Sequence, residues 1–320
     1  MTLIMLRSVF TLCFLLVTQQ AVYGQVLTVT LLGTGAPPPL MDRFGPSTLV
    51  EAGDEKLIFD VGRGVTQRLF QLGMPLRVVT GVFLTHFHSD HTVGIPDLWL
   101  TGWLSPGFGG RMTPFQIWGP GGTEAMMAGL EQAYEADIRI RVADQNYLPE
   151  GVAIVAKDVT EGVVFERNGV RVTAFDVDHG DLIKPAMGYR VDYLGRSVVI
   201  SGDTRFSENL IRFAEGTDVI IHEVAAASDA LLARSEGERL IIAHHTTPEA
   251  AGIVFDRVNP RLAVYSHLTL RGDSEIPAPS LDDLVDSTRI NYDGALELGE
   301  DLMRIEIGDT IEVSRFTPSR

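Results

Sequence analysis

Hydrophobic and polar positions alternate in short runs along most of this chain, and those runs predict its elements. VLTVTLL (26–32) is β-branched and alternating, so it predicts a strand, which GTGAPPP then breaks. STLVEA (47–52) and KLIFDVG (56–62) repeat the pattern as antiparallel neighbours across the turn GDEK. GVTQRLFQLG (64–73) changes to helical spacing and stops at Gly73, with Pro75 beyond. GVFLT (81–85) is a short buried strand, PFQIWGP (114–120) another, and GTEAMMAGLEQAYEADI (122–138) a single helix.

The second half repeats this alternation. VVFERNGVRVTAFDVDH (163–179) predicts two strands around an Asn-Gly turn, the clearest hairpin signal in the chain. AMGYRVDY, RSVVISGDT, DVIIHEV and RLAVYSHL predict strands, and ENLIRFAEG a helix. TTPEAAGIVFDRV predicts a helix with Thr247 as N-cap and Pro248 at its first position. The tail, NYDGALELGEDLMRIEIGDTIEVSRF, predicts closing hairpins. Two halves of strands followed by helices imply an α/β fold in which two sheets pack face to face with helices outside.

Composition adds limits. A chain of 320 residues that is 45% hydrophobic buries a large core and fits one domain over 25–320. MTLIMLR, the apolar run VFTLCFLLV and the small-residue stretch up to Gly24 have the grammar of a secretory signal peptide over residues 1–24. A retained membrane anchor is the alternative, though the apolar run is short for a span. The single cysteine, Cys13, lies inside that segment. The mature chain then holds no disulfide and no thiolate metal site, and export points to a bacterial periplasm or the medium, with no stable membrane insertion after cleavage. A formal charge of −16 repels polyanions at long range.

Candidate chemistry is concentrated in HFHSDH. The chain has eight histidines, and His86, His88 and His91 crowd around Asp90 directly after the strand 81–85. Imidazole and carboxylate without thiolate suit zinc, and also iron or manganese. His179, Asp203 and His267 each end a predicted strand of the second half, where a face-to-face arrangement brings them to the first cluster. His222 and His244 are set aside as a core or supporting histidine and an exposed neighbour. DLWLTGWLSPGFGG (97–110) carries Trp99, Trp103 and Phe108 and is a candidate lip for stacking an aryl group, with plain helix core as the alternative.

HxHxDH, the later single histidine, the aspartate of GDT and the histidine of SHL together resemble the metallo-β-lactamase superfamily. LLGTGAPPP, LIFDVGRG and HHTTPEAAG are similar to its ribonuclease Z branch, whereas DRFGPSTLV and YDGALELGEDLMRIEIGD resemble the alkyl and aryl sulfatase-like members of that branch. The resemblance implies a four-layer αβ/βα sandwich. It also implies two zinc ions, one held by His86, His88 and His179, the other by Asp90, His91 and His267, with Asp203 bridging both. The pair would share a hydroxide that acts as nucleophile. Asp90 would also orient that nucleophile or accept its proton. His245 would protonate the leaving group or contact the oxyanion, and Glu223 would orient His245.

For substrate, the stretch from Gly180 to Gly202 is too short for the basic arm that ribonuclease Z enzymes insert there to grip tRNA. With the charge and the leader, this favours an exported hydrolase of sulfate or phosphate esters, arylsulfatase-like, acting on a small-molecule ester, with nucleic acid as an unlikely partner and a homodimer possible. A ribonuclease Z-type endonuclease processing the 3′ end of tRNA is the alternative, followed by a β-lactamase or lactone hydrolase, and by a metal-binding protein without catalysis.

Overall fold

A computed structural model describes residues 26–317. The expected leader over 1–24, with Cys13, lies outside those residues. β1 (Leu27–Gly33), β2 (Ser47–Ala52) and β3 (Glu55–Phe59) form an antiparallel meander. α1 (Val65–Gln71) returns the chain to β4 (Gly81–Phe83), parallel to β3. The single-turn α2 (Ser89–Thr92) and then α3 (Ile95–Trp103) lead to β5 (Phe115–Gly119), and α4 (Thr123–Ala133) and α5 (Glu135–Gln145) lead to β6 (Ile154–Asp158).

The second half opens with the expected hairpin, β7 (Gly162–Arg167) and β8 (Val170–Asp176). Asn168 and Gly169 both take positive φ, 52° and 80°, as a two-residue hairpin turn of this kind requires. β9 (Met187–Tyr193), β10 (Arg196–Ile200), α6 (Glu208–Ala214) and β11 (Val219–Ala227) follow. Next come α7 (Asp229–Arg234), α8 (Glu236–Ala243), α9 (Pro248–Val258), β12 (Leu262–Arg271) and α10 (Leu281–Arg289). Three short strands, β13 (Leu296–Leu298), β14 (Arg304–Ile307) and β15 (Ile311–Ser314), end the chain.

One sheet has the order β15-β14-β1-β2-β3-β4-β5-β6, the other β13-β12-β11-β10-β9-β8-β7. Successive side chains of a strand point to opposite faces, so each central strand feeds two cores. Leu57 and Phe83 of the first sheet meet Val172, Tyr189 and Ile221 of the second in the central layer. Ile58 and Val82 turn outward onto Leu69 of α1 and Leu98 of α3. Val199 and Ile220 turn outward onto Leu210 of α6 and Phe255 of α9. The result is helix, sheet, sheet, helix, the four-layer sandwich expected from the sequence.

Several expectations needed correction. The single helix over 122–138 is two, α4 and α5, which meet at Tyr134 (φ −102°, ψ 9°). In the tail only β14 and β15 form a hairpin; β13 instead runs parallel to β12, and β14 pairs with β1 to extend the first sheet. The aromatic lip is not a lip. Trp99 and Trp103 are core residues of α3 at 0% and 2% exposure, and their indole N–H groups donate to the carbonyls of Val152 (2.8 Å) and Leu148 (2.9 Å). Helical spacing of large apolar residues served the core here.

The segment that does rim the site follows β1, residues 36–44, and Asp301 pins its base. Its carboxylate accepts from Thr34 N (2.9 Å), Thr34 Oγ1 (2.8 Å), Phe44 N (2.7 Å) and Arg68 Nη2 (2.7 Å). Its side chain is 5% exposed. Asp301→Ala leaves these donors, and Arg68 Nε with them, without their acceptor, so we expect about 3 kcal/mol of stability to be lost, read from the urea midpoint.

Candidate metal centre

The parallel strands of both sheets deliver their C-terminal ends to one edge of the sandwich, and the chemistry collects there. β4 ends at Phe83, and the loop beyond carries Thr85 and His86 into the interior; His88 is the N-cap of α2, which presents Asp90 and His91. From the second sheet come His179 beyond β8, Asp203 beyond β10, and His267 within β12. Gly202 sets up Asp203: its φ is 61°, and a Cβ there would lie 2.4 Å from the carbonyl of Met187. Asp60 (φ 59°) and His267 (φ 47°) hold left-handed backbone without being glycine, a conformation that costs of order 1–3 kcal/mol and persists where the surroundings enforce it.

One oxygen organises the cluster. Asp203 Oδ2 lies 3.8 Å from His86 Nε2, 3.4 Å from His91 Nε2, 3.7 Å from His179 Nε2 and 3.4 Å from His267 Nε2. Asp90 Oδ2 lies 3.3 Å from His267 Nε2 and 3.6 Å from His91 Nε2, and His88 Nδ1 lies 3.3 Å from His179 Nε2. Two ligands of a tetrahedral zinc ion at about 2.0–2.2 Å stand ~3.4 Å apart, so these spacings fit donor atoms around a cation. His86, His88, His179 and Asp203 form one group of donors within 4.8 Å of one another, and Asp90, His91 and His267 form another. Asp203, His245 and His267 form a third. Two buried atoms, His86 Nε2 and His91 Nε2, have no hydrogen-bond partner. Such orphans are costly in a dry interior unless something else satisfies them, and a divalent cation does.

The other ring nitrogens explain how the imidazoles are aimed. His91 Nδ1 donates to Asp60 Oδ2 at 2.7 Å. The hydroxyl of Thr85 donates to that same carboxylate (2.8 Å), so its oxygen is free to accept from His86 Nδ1 at 3.0 Å. His179 Nδ1 donates to the carbonyl of His244 (2.8 Å), and His267 Nδ1 lies 3.3 Å from Thr269 Oγ1. Each anchor commits Nδ1 and leaves Nε2 facing the cluster, as ligation requires.

Electrostatics follow from burial and crowding. Burial, aided by neighbouring His91, pushes His86 well below the usual histidine range, and burial lowers His179 to about 4. Both are therefore neutral, the form that binds metal. Burial opposes the charge of His91 too, but Asp203 and Asp60 outweigh it and raise this imidazole well above its ordinary value. Burial also opposes the Asp203 carboxylate, yet His267 and His91 hold it well below the usual carboxylate range.

His245 stands beside the donors, its Nδ1 3.0 Å from Glu223 Oε2. Burial disfavours its charge, but the Glu223 carboxylate more than compensates and raises His245 to about 9. Glu223 Oε1 meanwhile accepts from Thr246 N at 2.8 Å, which fixes the carboxylate. His222 is a core residue, its Nδ1 turned to the carbonyl of Glu223 (2.6 Å) and its ring against Phe255. His244 does more than the sequence suggested, since its carbonyl holds His179. Asp60 and Thr85 were not foreseen; the signal available was an aspartate directly after the apolar run LIF.

Above the cluster opens a cavity of about 530 Å³, with His88, Asp90, His179, Asp203, His245 and His267 among the residues lining it.

Against known proteins, a family model described as a beta-lactamase superfamily domain matches residues 56–268. The chain is 32% identical over 284 residues to a ribonuclease Z of Mycolicibacterium gilvum (strain PYR-GCK), covering 88% of this chain and 96% of that protein. Its fold is similar to the crystal structure of the metallo-beta-lactamase fold protein YhfI from Bacillus subtilis, with a TM-score of 0.67, 19% identity, and coverage of 88% and 99% of the two chains. It is also similar to human tRNase Z, short form, with a TM-score of 0.62 at 22% identity, covering 87% and 98%. These relatives overturn two expectations. The sulfatase-like reading is not supported, and neither is a small-molecule ester as partner in place of nucleic acid, because the relative matched over nearly its whole length is named for cutting RNA.

Proposed function

Because this chain belongs to the beta-lactamase superfamily and is a metal-dependent hydrolase of ester bonds, we propose that it cuts phosphodiester bonds in RNA as a ribonuclease Z-type enzyme. The observation that carries this is the Asp203 carboxylate oxygen standing 3.4–3.8 Å from four imidazole nitrogens contributed by both halves of the chain. In this reading His86, His88 and His179 would hold one divalent ion and Asp90, His91 and His267 a second, with Asp203 within reach of both donor groups; zinc suits the donors, as do iron and manganese. Metal held there supplies Lewis acidity, which offsets phosphate charge and makes water a better nucleophile.

The chain's own groups supply the rest. Asp60 and Thr85 fix the rings of His91 and His86, and the carbonyl of His244 fixes His179. Asp90 orients the attacking water or takes its proton. His245, kept protonated by Glu223, delivers a proton to the departing oxygen. That last feature favours RNA over aryl esters: a ribose oxygen leaves as a strong base and needs a proton, whereas a phenolate leaves without one. The net charge is −16 and the 180–202 stretch is too short to carry a long arm. They do not bar an RNA strand from a cation-loaded cleft, where the local field decides.

Zinc-loaded protein is expected to turn over bis(p-nitrophenyl) phosphate and to leave p-nitrophenyl sulfate intact; the opposite preference would sink the phosphodiesterase reading. Glu223→Gln removes the carboxylate that raises His245. RNA cleavage needs His245 protonated, so the alkaline limb of the kcat profile moves to lower pH in the variant. An unmoved limb separates Glu223 from the acid.

A further inference from the structure

Of the candidate donors, His267 alone lies inside a strand, and its backbone is bent to put it there. β12 pairs with β11 through Ser266 opposite Glu223 and Leu268 opposite Val224, so His267 is the extra residue of a β-bulge. Its φ of 47° is left-handed, a conformation that a histidine holds only where its neighbours enforce it. The bend re-aims the ring, as bulges beside active sites do, and leaves Nε2 3.3 Å from Asp90 Oδ2 and 3.4 Å from Asp203 Oδ2.

The enforcement comes from outside the strand. Leu268 N, in the peptide directly after His267, donates to the carbonyl of Thr34 at 3.0 Å, just beyond the end of β1. Thr34 is fully buried, and its N–H (2.9 Å) and hydroxyl (2.8 Å) both donate to Asp301 Oδ1. Arg43 Nη1 donates to the same hydroxyl (2.7 Å) and to the carbonyl of Gly299 (2.6 Å). Gly299 N in turn donates to the carbonyl of Tyr265 at 2.8 Å, two residues before His267. Both flanks of the bulge are thus tied to one network of Thr34, Arg43 and Asp301.

We propose that Thr34 and Asp301 are positioning residues for the metal centre: they hold His267 in its left-handed conformation and so set the affinity of Asp90, His91 and His267 for a divalent cation. The inference rests on the reading of His267 as a metal ligand. Neither positioning residue belongs to the donor groups. Once Thr34 lets go, residue 267 relaxes to the extended backbone that is ordinary for a strand. Period-two geometry then swings the ring away from Asp90 and Asp203.

The test is a double-mutant cycle in zinc affinity, measured on the full-length protein by competition with a chromogenic chelator. Thr34→Val keeps the shape of the side chain and removes its hydroxyl, so it is expected to weaken zinc binding by about 10-fold or more. Thr34→Ser keeps the hydroxyl and is expected to bind zinc as the unmodified protein does. In protein already carrying His267→Ala, Thr34→Val is expected to change nothing further, because the ring it positions is gone. A loss of the same size in both backgrounds overturns the proposal, since Thr34→Val would then act by loosening the fold. Unchanged zinc binding in Thr34→Val also overturns it, and leaves the metal centre standing where His267→Ala alone weakens binding. Zinc binding indifferent to His267→Ala removes His267 from the centre and overturns the proposal as well. Should Thr34→Val fail to fold by circular dichroism, Asp301→Asn enters the same cycle with the same expectation.

Discussion

Asp203→Ala is expected to cost the protein its bound metal and at least about 10³-fold in turnover, since Lewis-acid stabilisation is worth several kcal/mol and each 1.4 kcal/mol is tenfold. The reason is geometric. Its Oδ2 faces imidazoles of both donor groups, so no neighbour replaces it without moving a strand end. The fold should survive, because Asp203 lies beyond the end of β10 and outside the three apolar cores that hold the sheets and helices together. Metal content by mass spectrometry, read beside far-UV circular dichroism, checks both parts. A variant that keeps full metal and full activity would remove Asp203 from the centre.

His245→Ala is expected to lower kcat for RNA by about 10²–10⁴-fold, the usual worth of a positioned acid. Two comparisons give this prediction its content. Against bis(p-nitrophenyl) phosphate the loss should be much smaller, because p-nitrophenolate departs without a proton. Metal content should be unchanged if His245 acts only as an acid. His245 also lies within 4.8 Å of Asp203 and His267 donor atoms, so ligation is the competing role. Loss of metal together with equal losses on both substrates would establish ligation and withdraw the acid.

Much of this molecule was legible in its sequence, and the reasons are physical. Period-2 runs such as LTVTLL and turn chemistry such as Asn168-Gly169 fix strands locally, before any tertiary contact forms. The candidate donors were legible because eight histidines are few and most fall at predicted strand ends. What stayed hidden depends on neighbours distant in sequence. β6 has the burial pattern of an edge strand, mostly exposed, so IVAKD carries no alternation to read. α8 buries no residue fully, and of its large apolar side chains Ile241 lines the cavity over the metal centre while Leu240 faces solvent. Asp60 acquires meaning only once Thr85 and His91, 25 and 31 residues away, fold onto its carboxylate. α10 was missed despite a local signal, the capping box of Ser280 and Asp283. The substrate was misjudged for another reason. Net charge is a sum over the whole surface, while a cleft acts through the few charges that line it.

The most direct measurement of the central claim is cleavage of a precursor tRNA with a 3′ extension by protein of measured metal content. The account predicts metal-dependent cutting that stops on chelation, returns with zinc and is absent in Asp203→Ala. Intact RNA after incubation with fully metal-loaded, unmodified protein would contradict it.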